Sequence, residues 1–218
     1  HLSIRRQRQM CIRDRVYCTA AEDNPRAGRL CVLPRDEEGA KLTPKIKSMA
    51  ELAAQIRNRQ SLVLKALPAP VTAADRRALN LATDIARDYY PADTKYLGEP
   101  LPLYYLELAR VTASAIGLGL PAVISALLSG VSEESEAWER IDTLNDPSIK
   151  EVISGLSRVT ALRGRDFKGQ QAENFRKLLL SLADDGRVIL IALAERLLIM
   201  RRLDWLPERE RLPVASET

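Results

Sequence analysis

Almost every apolar stretch of this chain repeats with a period near 3.6 residues, and none alternates with a period of two. A helix buries one face by placing apolar residues three and four apart, whereas a half-buried strand needs them at every second position. The chain is thereby confined to the all-α class, with about seven or eight helices joined by short loops. The segment RVILIALAERLLIMRRL, residues 187–203, carries the pattern furthest. Its apolar residues nearly encircle the helix, so it is expected to be central and buried. NFRKLLLSLADD, residues 174–185, is amphipathic and is expected to pack beside it.

Local signals divide the rest. Thr43-Pro44 reads as an N-cap followed by proline at the first helical position, with Met49, Leu52, Ile56, Leu62 and Leu64 as the apolar stripe. Pro68 and Pro70 end it, and Thr72 with Asp75 three residues on forms a capping-box pattern. Leu79, Ala82, Ile85 and Ala86 are the expected buried face of that second helix, and Pro91 and Gly98-Glu99-Pro100 mark a loop. Helical segments then follow at 103–117, 121–130, 135–144, 147–159, 169–185 and 186–206, and no internal repeat of fixed period is present.

Composition removes whole classes of chemistry. The single histidine is His1, which excludes a Ser-His-Asp triad, a Cys-His pair and a multi-histidine metal site from the folded body. Cys11, Cys18 and Cys31 are odd in number, fit no zinc spacing and sit in the first 31 residues, so a reducing, cytoplasmic setting is expected. The net charge of +4 arises from Arg5, Arg6, Arg8, Arg13 and Arg15 against Asp14. Of 33 basic and 29 acidic residues, 28 of each remain after residue 15, a neutral body with no broad field for direct DNA binding. No apolar run reaches the roughly 18 residues of a membrane span, so no membrane partner is expected.

The opening HLSIRRQRQMCIRDRVY, residues 1–17, lacks the order of a signal peptide and is expected to be a non-native leader. Residues 18–42 contain Pro25, Gly28, Pro34 and Gly39 with mixed charge and read as a loose lead-in. Residues 43–206 form the expected helical domain.

Two blocks carry the remaining information: LGEPLPLYYLELARVTASAIGLGLPAVISALLSGVSEES, residues 97–135, and QQAENFRKLLLSLADDGRVILIALAERLLIMRRLD, residues 170–204. The order of GEP, AIGLG, ALL, QQAENFRK and DDGRVILIALAERLLIMR resembles the HD hydrolase domain of the RelA/SpoT family, the bacterial alarmone synthetase–hydrolases of the stringent response. The resemblance runs from about Asp75 to the end. It implies an HD-domain-like orthogonal helical bundle, with residues 207–218 as the start of a connection to a synthetase domain that this chain lacks.

Active family members hold a divalent metal, manganese, through a lone His, an adjacent His-Asp pair and a later Asp. The resemblance places the lone His on Tyr104, the pair on Ser129 and Gly130, and the later Asp on Glu195. The family's Glu-Asp falls on Glu133 and Glu134, and a further His on the preceding helix falls near Ala86. The basic pair that faces the nucleotide base becomes Lys95 and Tyr96, and the His-Asn after the last ligand becomes Leu198 and Ile199. Phenol, hydroxyl and hydrogen replace imidazole and carboxylate, which transition metals require. No cofactor is therefore expected, and the matched scaffold with unmatched site positions implies a domain kept for shape.

Each residue also has a plainer reading. Glu195 can pair with an arginine, Tyr104-Tyr105 can fill the old ligand cavity, Lys95 can be a surface lysine, and Trp138 and Trp205 can be core or flank anchors. Glu133-Glu134 can solvate a loop and favour the following helix N-terminus. Three functional readings follow. The first is a hydrolase-inactive scaffold and regulator of a GTP pyrophosphokinase domain in the same full-length chain, with any ribosome contact made through missing C-terminal regions. The second is an active (p)ppGpp 3′-pyrophosphohydrolase with a rebuilt oxygen-only site from Glu133, Glu134, Glu195 and Asp184 or Asp185. The third is a non-catalytic guanine-nucleotide sensor, which requires Lys95, Tyr96 and Tyr104 to line an open pocket.

Overall fold

The computed structural model describes residues 48–162 and 185–206, with residues 208, 211, 212 and 215 beyond them. The leader, the lead-in, the three cysteines, Thr43-Pro44, all but the last residue of the helix expected over 169–185 and most of 207–218 lie outside the described residues. Within them the chain is helical as expected. It forms α1 (Met49–Ala66), α2 (Ala73–Tyr89), α3 (Leu101–Val111), α4 (Leu120–Leu127), α5 (Glu136–Arg140), α6 (Pro147–Leu162) and α7 (Gly186–Met200).

The caps explain the boundaries. The helix carrying the first stripe is capped by Ser48, whose side chain accepts from the Glu51 N–H, rather than by Thr43. Its buried residues are Leu52, Ile56 and Val63, while Met49 and Leu62 are exposed. Position 63 continues the face of 52 and 56, whereas 62 lies a helical step away from it. Thr72 and Asp75 form the expected capping box at α2: the Thr72 side chain accepts from Asp75 N–H and the Asp75 carboxylate accepts from Thr72 N–H. The buried face of α2 is Leu79, Ala82, Ile85 and Ala86, with Thr83 beside them. Pro147 opens α6 and Asp185 caps α7, accepting from the Arg187 N–H.

Three departures have local causes. First, Lys95–Tyr96 pairs antiparallel with Glu99–Pro100 as two-residue strands β1 and β2, where only a loop was expected. Two residues are too short to show a period of two. Leu97 (φ 49°) and Gly98 (φ 77°) both turn through positive φ, the conformation a two-residue hairpin demands. Second, the segment expected as one helix over 103–117 widens after Val111 into a π-helical turn, Thr112–Ile116, closed by Gly117 at φ 78°. Third, α7 is not buried all round. Leu190, Leu193 and Met200 are exposed along one side, while Val188, Ile191, Ala192, Ala194, Leu198 and Ile199 are buried.

α3 and α4 stand at the centre. α3 packs on α1, α4 and α7, and α4 packs on α2 and α6, with α6 against α7. Leu101, Leu103, Leu106 and Leu108 of α3 are each no more than 1% exposed. Each contributes roughly 1.5–3 kcal/mol of burial energy, an upper estimate because the unfolded chain already hides some surface. Gly155 lets α6 approach α7 closely, since a Cβ there would lie 2.6 Å from Cγ2 of Val188.

Candidate functional site

The positions singled out by sequence come from five places: the end of α2, the β-ribbon, α3, the end of α4 with the loop after it, and α7. α4 stops at Leu127, and the chain passes through Leu128 and Ser129 into the loop that reaches α5. Ser129 Oγ donates to the carbonyl of Ala126 at 2.9 Å, a bond that ties the hydroxyl to its own helix end. Gly130 donates its N–H to the hydroxyl of Tyr90 at 3.1 Å. A Cβ at position 130 would lie 2.6 Å from Cζ of Tyr105 and closer still to the phenol oxygen.

Tyrosine rings occupy this region. Tyr90 stacks on Tyr105 with centroids 4.2 Å apart and planes 12° from parallel. Tyr104 meets Tyr105 edge-on at 5.2 Å, Tyr96 meets Tyr104 edge-on at 4.7 Å, and Tyr89 meets Tyr90 at 5.3 Å. Tyr104 is fully buried, and Tyr90, Tyr96 and Tyr105 nearly so. The plainer reading of Tyr104-Tyr105 as cavity fillers matches this arrangement. The open pocket that the nucleotide-sensor reading requires does not: Tyr96 and Tyr104 are closed off against each other, and Lys95 is exposed on the ribbon. Aromatic faces and edges attract each other, and burial favours filling this space over leaving it open.

The Tyr90 hydroxyl also donates to the carbonyl of Leu127 at 3.1 Å. Burial pushes this phenol well above its usual range, Tyr105 adds to the effect, and the bond from Gly130 opposes it. Tyr90 therefore keeps its proton. Ala86, the position near which a family histidine falls, is a buried residue of α2 whose carbonyl accepts the Tyr90 N–H at 2.9 Å.

The other positions do not converge. Glu133 and Glu134 are exposed in the loop before α5, and no side chain caps that helix. Glu195 is half-buried on α7 and engaged by a neighbour. Asp185 is committed to the α7 N-terminus and to Arg187, whose Nε lies 2.8 Å from it. Asp184 lies outside the described residues. Leu198 and Ile199 are buried among the core residues. Among the described residues, no three His, Cys, Asp or Glu side chains come together as a metal would need. The rebuilt site of Glu133, Glu134, Glu195 and Asp185 is thus not assembled. For the manganese of the family the donor set does not fit: Ser129 is tied to Ala126, Gly130 has no side chain, and Tyr105 abuts the space where one would be.

Sequence reading missed Tyr89 and Tyr90, and it missed an ionic network beneath the ribbon. Glu99 of β2 is 8% exposed and is bound by Arg59 of α1 and by Arg202, whose Nη1 lies 2.6 Å from it. Arg59 also donates to the carbonyl of Leu103 at 3.2 Å and lies 3.5 Å from Glu107, which Arg110 holds at 2.6 Å. Burial alone would raise the Glu107 carboxyl. The bond from Arg110 and the charges of Arg110, Arg59 and Arg202 outweigh it and hold the group below its usual range. The doubled tyrosine at the end of α2 was the available signal for the aromatic cluster. Nothing in the sequence signalled the 103-residue link from Arg202 to Glu99.

Comparison with known proteins bears on this arrangement. A family model described as "HD domain" matches residues 78–218. The chain is 37% identical over 142 residues to guanosine-3′,5′-bis(diphosphate) 3′-pyrophosphohydrolase of Vibrio cholerae, covering 65% of this chain and 20% of that protein. It is 36% identical over 143 residues to the bifunctional (p)ppGpp synthase/hydrolase SpoT of Escherichia coli K12, with the same coverage. It is 36% identical over 141 residues to GTP pyrophosphokinase rsh of Brucella ovis, covering 64% of this chain and 19% of that protein. The chain thus spans about a fifth of the length of these curated relatives. No helix among the described residues is long and apolar enough to cross a membrane.

Proposed function

The chain belongs to the HD-domain family, in its RelA/SpoT branch, and on that premise we propose that it is the hydrolase-silent HD region of a (p)ppGpp-metabolising protein. Its work is that of a helical scaffold and regulator for a GTP pyrophosphokinase domain of the same full-length chain. The observation that carries this reading is the state of position 130. Family resemblance puts a metal-binding aspartate there, and here the backbone N–H is bonded to Tyr90 while the Tyr105 phenol abuts the space a side chain would fill. A metal hydroxide is what would attack the 3′-diphosphate, and the residues at these positions supply neither the charge nor the donors to hold the ion. What the chain's own residues do instead is pack: the rings exclude water, and the ionic network beneath the ribbon ties α1, α3 and the segment after α7 together.

The test is direct. The purified protein, incubated with ppGpp and manganese, should release no pyrophosphate above a no-protein blank. A manganese titration should show no saturable site that Glu195→Ala abolishes. Metal-dependent turnover lost in Glu195→Ala would overturn the proposal and restore the rebuilt-site hydrolase.

A further inference from the structure

In a metal-holding site of this kind, the ion itself joins the helix ends that carry its ligands. This chain has to hold the same ends together in another way, and the tyrosines show how. α2 ends at Tyr89, and the next residue, Tyr90, turns its ring inward. The last carbonyls of a helix have no partner within it. The Tyr90 hydroxyl satisfies one of them, Leu127 of α4, by donating at 3.1 Å, and on its other side accepts the Gly130 N–H at 3.1 Å. A phenol can donate one hydrogen bond and accept another, and both capacities are used here, 37 and 40 residues away in sequence. Tyr89 repeats the device two residues further along, its hydroxyl accepting the Ser132 N–H at 3.1 Å.

Tyr105 completes the arrangement from α3. Its ring lies flat against Tyr90 and its phenol end abuts Gly130. The ring is stiff, almost fully buried and stacked, so it cannot swing aside as a flexible surface side chain would.

We infer that Tyr89, Tyr90 and Tyr105 form an aromatic staple that replaces a metal ion as the structural joint between α2, α3 and the end of α4, and that this joint obliges position 130 to be glycine. The inference rests on the proposal that the site holds no metal. It has a consequence for the site's history: restoring an aspartate at 130 alone cannot rebuild the hydrolase, because the Tyr105 ring blocks it.

Amide hydrogen exchange followed by NMR tests the hydroxyl bonds. Tyr90→Phe keeps the ring and removes one oxygen. The Gly130 amide should exchange about 10- to 100-fold faster relative to core amides of α6, the range expected when a buried hydrogen bond is lost. Tyr89→Phe, at a less buried position, should do the same at Ser132 alone and guards against a Tyr90→Phe protein that does not fold. A double-mutant cycle tests the obligation at 130. Gly130→Ala should lower the folding equilibrium constant more than tenfold in the parent chain and less than threefold in a Tyr105→Leu background. Unchanged exchange at Gly130 and Ser132, or an equal cost of Gly130→Ala in both backgrounds, would overturn the staple. A manganese-dependent rise in thermal midpoint of the parent protein would instead overturn the premise that the site holds no metal, so the two failures are separable.

Discussion

Replacing Glu99 with alanine should be among the most damaging single changes available in this domain. Glu99 and Arg202 are each 11% exposed at the side chain and lie 2.6 Å apart, with Arg59 on the other carboxylate oxygen. Removing the carboxylate takes from Arg202 the partner 2.6 Å away, while the Trp205 ring, 5.2 Å from its guanidinium carbon, and the charge of Glu107 remain. Arg59 loses less, because it keeps the Leu103 carbonyl and Glu107. Breaking a buried pair from one side costs about 3–5 kcal/mol, a large share of the roughly 5–15 kcal/mol that holds a domain folded. With a urea slope of about 2 kcal/mol/M, the unfolding midpoint should fall by roughly 1.5–2.5 M. The paired control is Arg202→Met, which keeps an apolar stem and removes the charge. In that background Glu99→Ala should cost at least about 1.5 kcal/mol less than in the parent chain. A loss below about 1 kcal/mol for Glu99→Ala, or equal losses in both backgrounds, would refute the view that this network is a buried brace.

Two further outcomes follow from the same geometry. The folded Glu107 carboxyl is held below its ordinary value of 4.5, so its contribution is fully present above that pH and is lost as pH falls through the lower, folded-state value. Denaturation midpoints should therefore drop more steeply below about pH 4.5 in the parent than in Glu107→Gln, and identical profiles would remove Glu107 from the account. Leu97 sits at φ 49° yet is only 3% exposed, so strain and burial oppose each other. Leu97→Gly would relieve about 1–2 kcal/mol of left-handed strain and forfeit more than the roughly 2–5 kcal/mol of a buried leucine truncation. A lower thermal midpoint is expected, and a higher one would show that burial of the Leu97 side chain is worth less than the strain at its backbone.

The candidate site was legible in its chemistry and illegible in its construction. The donor types at Tyr104, Ser129, Gly130 and Glu195 could be read directly, because whether a phenol or a hydroxyl binds manganese does not depend on where the chain puts it. Where each group goes does depend on it. Lys95 and Tyr96 are neighbours in sequence, yet one is exposed and the other sits against Tyr104. Glu133 and Glu195 both carry carboxylates, and one is in an exposed loop while the other is half-buried on α7.

What the residues determined on their own were interactions within about four positions: the Thr72–Asp75 capping box and the buried face of α2. These are set by helix geometry, which every stretch of chain shares. What only the tertiary structure decided were contacts across long separations. Tyr90 reaches Gly130, Tyr105 closes the space beside it, Arg202 returns to Glu99, and Leu190 and Leu193 come out exposed on an apolar helix. Such contacts depend on how helices are placed against one another, and that placement is the joint result of all the buried surfaces at once rather than of any one segment.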